Sequence, residues 1–526
     1  VRRKITIAGM LGIVLGIMVL VKDLASREFG AFILLVGILA FLGGVSSFLF
    51  AGDRRGTRRH IARLDKKSRR SGGTATIIDH HRQTSAFAMK WRYQGGAVLR
   101  PALRELGVIA RWRTPLETYA TKLGHSGLRR IWISAEDCVI RIAGTRAGKS
   151  QAMRVRIRNH IGGVVATSTR VDIIATRGHR TTIGPTHAYD PAGLLKGDAK
   201  ARWSPLVGCQ DPGIAAIRAY DMIPEDGSEE GKRWSIQARR LLRILMHAAA
   251  MGNRRMFDAA IWLAADGPAI PGAFEEIREA LKDSPVRDEM LHSVKQFYQT
   301  ADRTRSGIVV AAQPALAWAE IPEARAIGDC TVEESMDLYD IIDRRGTLYI
   351  LGKKDGTTAP LTGALIGEII RMAEIEAEQR GGRLDPSLLM SLDEVTKVCT
   401  APVPELSADA GGRGIVLDIA TQSIAAIKET WGDNGASMLI TNCNAVLVGK
   451  GCKDPDDLQR WEDLSGKRWE NQETVGKDGE TKSITRNRVP VFSQSDIAQL
   501  RYRRVIAFGL GPPILIKTPR PKRRHR

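Results

Sequence analysis

Cys138-Val139-Ile140-Arg141-Ile142-Ala143-Gly144-Thr145-Arg146-Ala147-Gly148-Lys149-Ser150 is the stretch whose reading decides the fold. The first five residues are mostly apolar and predict a strand. The next eight predict a phosphate-binding loop, and Gln151 to Asn159 the helix behind it. Such a loop needs small residues so that backbone N–H groups can converge on phosphate oxygens. It also needs a lysine to carry charge to the terminal phosphates and a hydroxyl to ligate Mg²⁺, which are Lys149 and Ser150 here. Ala143 to Ser150, with Gln151 opening the helix, are therefore the candidate nucleotide-binding residues. Ala143 stands where glycine is usual, which removes the freedom of positive φ at that position. An ordinary glycine turn before a surface helix would carry a similar triplet, so the rest of the chain has to decide.

Downstream, Gly163 to Ser168 reads as a second buried strand, and strand-helix-strand alternation implies an α/β fold with a parallel sheet. From about Asp211 to Asp329 the pattern becomes helical, as in Trp234, Ala238, Leu241, Leu242, Leu245, Ala248 and Ala249, and a separate all-helical domain is expected. Strand signals return at Thr347 to Leu351. They continue in Leu388-Leu389-Met390-Ser391-Leu392, which runs directly into Asp393-Glu394. A buried strand ending in two carboxylates is what a Walker B element requires. Asp393 can hold the Mg²⁺ hydration shell, and Glu394 can orient and deprotonate an attacking water. The plainer reading is an acidic pair opening a turn. Two more strands are expected at Gly414 to Thr421 and Ala445 to Gly451. The first leads into Gln422, which can sense a γ-phosphate or position water at the carboxyl edge of the sheet, or simply cap a helix. Arg504 to Phe508 and Ile514 to Ile516 read as a closing pair of strands.

The chain has 526 residues, 43% of them hydrophobic, so two or three globular units are expected. A formal net charge of +21 calls for a polyanionic partner, nucleic acid or anionic lipid. The six cysteines lack zinc-site spacing and are expected to be reduced, with no structural metal. Adjacent His80 and His81 read as a loop or surface pair. Ile5 to Val21 and Phe29 to Ala51 are apolar runs of membrane-spanning length, flanked by Arg2-Arg3-Lys4 and by Arg54, Arg55, Arg58 and Arg59. They predict a multi-pass membrane hairpin with both ends, and the bulk of the chain, in the cytoplasm; a cleaved signal peptide is the alternative for the first run. The expected division begins with a hairpin at 1–52 and a basic juxtamembrane and connecting segment at 53–130. A nucleotide-binding domain at 131–210 and 330–516 is then interrupted by an all-α domain at 211–329, and a basic tail follows at 517–526.

In this order the pieces resemble the type IV secretion coupling proteins, the TraG/TraD class of conjugative DNA-transport ATPases. The most specific stretch runs from Ser391-Leu392-Asp393-Glu394-Val395 through Gly411-Gly412-Arg413-Gly414-Ile415 and Ala420-Thr421-Gln422-Ser423 to Trp431-Gly432 and Asn442-Cys443-Asn444. Thr167-Ser168-Thr169-Arg170, Tyr189-Asp190-Pro191, Trp203-Ser204-Pro205 and Gly346-Thr347-Leu348-Tyr349 look closest to actinobacterial members. The resemblance implies a RecA-like P-loop core using ATP and Mg²⁺, an inserted all-α domain and a homohexamer in the inner membrane. Its implied partners are single-stranded DNA, relaxase and other relaxosome proteins, and the secretion channel. By the same likeness Lys149, Ser150, Asp393 and Glu394 keep the roles given above, Gln422 becomes a γ-phosphate sensor, and Arg413 is a candidate for reaching a neighbouring subunit's site. The competing functions are an FtsK/SpoIIIE-like DNA translocase and a non-motor membrane receptor for the relaxosome.

Overall fold

Runs such as Val164–Ser168, Thr347–Leu351, Leu388–Leu392 and Ile415–Thr421 are buried along their whole length. That is the pattern of parallel strands covered on both faces, where alternation between apolar and polar residues is lost. The computed structural model describes residues 79–197, 200–224, 229–475 and 481–521. The transmembrane hairpin expected at 1–52 lies outside these residues. Among the described residues no helix is long and apolar enough to cross a membrane.

The strands are β1 (Ala120–Ser126), β2 (Arg129–Ser134), β3 (Val139–Ile142), β4 (Val164–Ser168), β5 (Thr186–Tyr189), β6 (Thr347–Leu351) and β7 (Leu388–Leu392). They continue with β8 (Ile415–Thr421), β9 (Ala445–Gly449), β10 (Lys467–Val475), β11 (Thr481–Pro490), β12 (Arg504–Phe508) and β13 (Ile514–Lys517). Eleven of them form one sheet in the order β2-β1-β13-β12-β9-β3-β8-β7-β4-β6-β5. From β9 to β5 neighbouring strands are parallel; β12, β13, β1 and β2 extend the sheet antiparallel beyond β9. The α/β class with a parallel core is therefore borne out. The sheet also holds strands that the sequence pattern does not mark: β1, β2 and β5. Residue 131, the expected start of the nucleotide-binding domain, falls inside β2. A two-residue turn at Gly127-Leu128 joins β1 to β2, with Gly127 at φ +61°.

Between β5 and β6 the described elements are all helical. Helix α1 (Pro212–Met222) starts on Asp211, whose side chain accepts from Gly213 N. The 23-residue α2 (Glu229–Met251) runs beside it. These helices do not enclose a core of their own. One continuous apolar cluster runs from Trp203, Leu242 and Trp262 to Leu365, Ile369 and Met390, uniting the insertion with one face of the sheet. The joint with α3 (Ala359–Gln379) is ionic. Arg218 donates to Ala364 O at 2.9 Å and to Glu368 Oε2 at 2.7 Å, and Arg371 pairs with the fully buried Asp221.

Candidate functional site

The parallel order places β8 between β3 and β7, with Ile142 level with Thr421 and Leu392 level with Ile419. The residues that follow these strands, Ala143, Gln422 and Asp393, therefore emerge together at one edge of the sheet. This is the carboxyl edge, where open α/β sheets bind ligands. A cleft of about 310 Å³ at this edge is lined by Gly144 to Gln151, Arg170, Asp172, Asp393, Glu394, Gln422 and Tyr502.

The loop is built as phosphate chemistry requires. Gly148 is at φ +97° and caps the helix Lys149–Asn159, which begins two residues before the predicted Gln151. A Cβ on Gly148 would meet Arg503 Cγ at 2.9 Å. The loop's first turn lies backbone to backbone against Lys450-Gly451: Gly144 N donates to Lys450 O at 2.8 Å. A Cβ on Gly451 would lie 2.9 Å from Gly144 Cα. Ala143 is not among the residues at positive φ, so its methyl costs no backbone strain, and it faces Gly449, which has no side chain to oppose it. Lys149 Nζ donates to the loop carbonyls of Ala143 and Gly144, the second at 3.1 Å. Burial lowers the Lys149 pKa, and the nearby Asp393 and Glu394 counter that by favouring the charged form.

Asp393 is buried at the end of β7, which pushes its carboxyl up to about 6. A hydrogen bond with the Ser150 side chain acts against that shift, and the neighbouring Glu394 adds to it. The two expected Mg²⁺ ligands, one from each motif, thus lie in the same cleft, near enough for the Ser150 hydroxyl to affect the charge of the Asp393 carboxyl. A hydroxyl beside a carboxylate is a hard oxygen donor pair that suits a small divalent cation, so the residues fit Mg²⁺. Glu394 holds φ +52°, and its Oε2 accepts from the Thr169 hydroxyl at 2.5 Å. Its backbone N–H donates to Asp393 Oδ1 at 3.1 Å. A left-handed non-glycine residue is held in place only by its surroundings and is a common feature of functional sites.

Arg413 lies elsewhere. It precedes β8, at the amino end of the strand whose carboxyl end leads to Gln422, and its guanidinium donates to Glu378 at 2.6 Å. The cleft also contains groups to which sequence reasoning assigns no site role. Thr169 and Arg170 follow β4, the next strand beyond β7, which delivers them beside Glu394. Tyr502 donates to Gln151 Oε1 at 2.8 Å, and Arg503 N bonds Ala147 O at 3.1 Å, so the segment before β12 closes over the loop. Thr169-Arg170 could have been found as the polar continuation of a fully buried strand. Nothing local marks Tyr502.

Fold and site together define an α/β protein that sets a phosphate-loop motif beside a strand-end carboxylate pair, with a helical insertion between the two motifs. Residues 387–502 match the family model described as the TraM recognition site of TraD and TraG. Among solved structures the chain is similar to the unbound conjugative coupling protein TrwB: 16% identical, covering 74% of this chain and 83% of that one, TM-score 0.52. TrwB with the GTP analogue GDPNP is 16% identical over 74% and 86%, TM-score 0.53. TrwB with ADP and Mg²⁺ is 17% identical over 74% and 87%, TM-score 0.53. Among curated proteins none matches. The family-model match and the shared fold bear out the resemblance to the TraG/TraD class of type IV secretion coupling proteins.

Proposed function

We propose that this protein is a membrane-anchored ATPase that couples relaxase-bound single-stranded DNA to a type IV secretion channel and energises its transfer. The observation that carries the reading is the single cleft that gathers Lys149, Ser150, Asp393, Glu394 and Gln422 from three adjacent strands. The TrwB structures with GDPNP and with ADP and Mg²⁺ support ATP and Mg²⁺ as the ligands of this cleft. When bound, Mg²⁺ would supply positive charge to the phosphate oxygens. Ser150 and Asp393 would hold it. The loop N–H groups and Lys149 bind and orient phosphate, Glu394 accepts the proton of the attacking water, and Gln422 stands between the two motifs to report the terminal phosphate. Arg170, on the same wall as Glu394, adds a second cation to the cleft. The TraG/TraD match at 387–502 supports a relaxosome protein as partner, and the net charge of +21 supports a polyanion. A homohexamer in the inner membrane, with Arg413 serving a neighbouring site, completes the proposal.

The test is steady-state ATP hydrolysis by the full chain in lipid nanodiscs, with and without single-stranded DNA. Mg²⁺-dependent turnover stimulated by DNA is expected, and Lys149→Ala and Glu394→Gln should each lower kcat by about 100-fold or more. Assembled oligomers that bind nucleotide without hydrolysing it would instead identify a docking receptor.

A further inference from the structure

The segment before β1 carries a row of large side chains that the core does not use. Phe87 and Trp91 are one helical turn apart on Ala86–Arg92, with ring centroids 6.2 Å apart, and Phe87 stacks on His81 at 5.0 Å. Trp91 meets Trp112 edge-on at 6.2 Å. Trp112 lies on the helix Val108–Arg113, on the same face as Val108 and Ile109 by the i, i+3 and i, i+4 spacing. The row therefore continues from rings into aliphatics. Its members are mostly open to solvent: Ile109 is 71% exposed, Trp91 69%, Val108 61% and Phe87 51%. Around them residues 79–119 carry seven basic side chains, among them Arg82, Arg92, Arg104 and Arg113, against the acids Asp79, Glu105 and Glu117.

We propose that this aromatic, aliphatic and basic face rests on an anionic lipid surface, a contact beyond the hairpin anchor and separate from it. Three observations select lipid. Trp beside aliphatic and basic residues is the composition of a membrane–water interface, where rings sit at headgroup depth and cations meet anionic lipid. The chain enters this segment at Asp79, directly after the Arg/Lys-dense stretch 54–70 and the apolar runs 5–21 and 29–51, so the face continues the part of the sequence suited to a bilayer. The preceding stretch is itself basic, and like charge disfavours it as the occupant. The position agrees. The segment grips residues 383–385 at the amino end of β7, through Arg100 to Asp385 at 2.6 Å and Ala102 N to Asp385 at 2.8 Å, whereas the nucleotide cleft opens at the carboxyl end.

The test uses a local probe, so it does not depend on how the chain is anchored or on whether it hydrolyses ATP. All six native cysteines are buried, so Ile109→Cys in the full chain takes a single environment-sensitive fluorophore. The labelled protein is reconstituted in vesicles of phosphatidylglycerol and phosphatidylcholine, or phosphatidylcholine alone, each doped with a spin-labelled headgroup quencher. Strong quenching with a blue shift is expected in the anionic vesicles. It should weaken in phosphatidylcholine and fall about fivefold per charge on reversal of Arg92 or Arg113. Ile236→Cys, exposed on the helical insertion, should show neither change. Absence of quenching in both vesicle types would overturn the proposal. So would cross-linking between copies through the thiol introduced by Ile109→Cys, or loss of the signal on adding single-stranded DNA, which would make the occupant a second copy or a nucleic acid.

Discussion

The hydrogen bond from Thr169 to Glu394 gives the carboxylate a partner other than water. A hydrogen bond to a charged group contributes about 1.5–3 kcal/mol, enough to keep that oxygen engaged in most molecules. Thr169→Val should therefore raise ATP turnover without DNA several-fold and shrink the DNA-stimulated ratio, while Thr169→Ser leaves both unchanged; unaltered steady-state rates for the valine variant would refute this. A second residue pair explains how the loop accommodates alanine at its first position. A Cβ on Gly449 would lie 3.0 Å from Ala143 Cβ and 3.3 Å from Val505 Cγ1. Gly449→Ala should cost about 1–3 kcal/mol in urea unfolding, the range for overpacking a filled site. Adding Ala143→Gly should recover part of that loss, a coupling readable as a double-mutant cycle. Lys149, Ser150, Asp393 and Glu394 are legible in the sequence because phosphate and metal chemistry dictates their type and their place beside a strand. Gly449 and Tyr502 are not, because their roles arise only from which strand or segment the fold sets alongside.

Among the elements, the apolar parallel strands announce themselves, whereas those that escape a sequence reading are short, partly polar or at an edge. β5, Thr186-His187-Ala188-Tyr189, is half polar, and β10 and β11 are largely polar runs. The helical insertion is recognisable from its 3.6-residue period, but not its attachment. That attachment depends on Gly367: a Cβ there would lie 2.5 Å from Asp221 Oδ2, so glycine lets the carboxylate lie against α3 within reach of Arg371. Burial raises the Asp221 pKa against the pull of Arg371 and then Arg218, so the pair persists only while its geometry is intact. Gly367→Ala or Arg371→Ala should destabilise by about 3–5 kcal/mol, the cost of a buried charge that loses its partner. Limited proteolysis should then cut first where the insertion joins the core. Cleavage and melting that match the parent chain would show that the apolar contacts alone hold the joint.

Across the whole molecule, β7 joins two poles. Its carboxyl end carries Asp393 and Glu394, and the residues before its amino end are clamped by the segment that bears the proposed lipid-facing row. In the clamp, Arg383 donates to Val98 O at 3.2 Å and pairs with Glu136, which stands between β2 and β3. The groups facing Glu136 are Arg383, Asp137 and Asp385. Burial pushes its carboxyl up to about 7; the pull of Arg383 works against that, and the two aspartates add to it. A folded-state pKa above the ordinary carboxylate value means that the folded chain holds this proton more tightly than the unfolded chain. The associated stability is fully present below the ordinary value of 4.5 and is lost as pH rises through about 7. At pH 8 the ionised carboxylate opposes folding by up to roughly 3 kcal/mol at 1.36 kcal/mol per pKa unit, an upper bound because solvent still reaches the pair. Glu136→Gln keeps the shape and a hydrogen-bonding oxygen while removing the ionisation. Its melting temperature relative to the parent chain should therefore climb between pH 5.5 and pH 8.5, with the parent losing stability across the same interval. A difference independent of pH would mean that Arg383 keeps Glu136 ionised throughout, and that the clamp behind β7 is a permanent ion pair rather than a joint that loosens as it deprotonates.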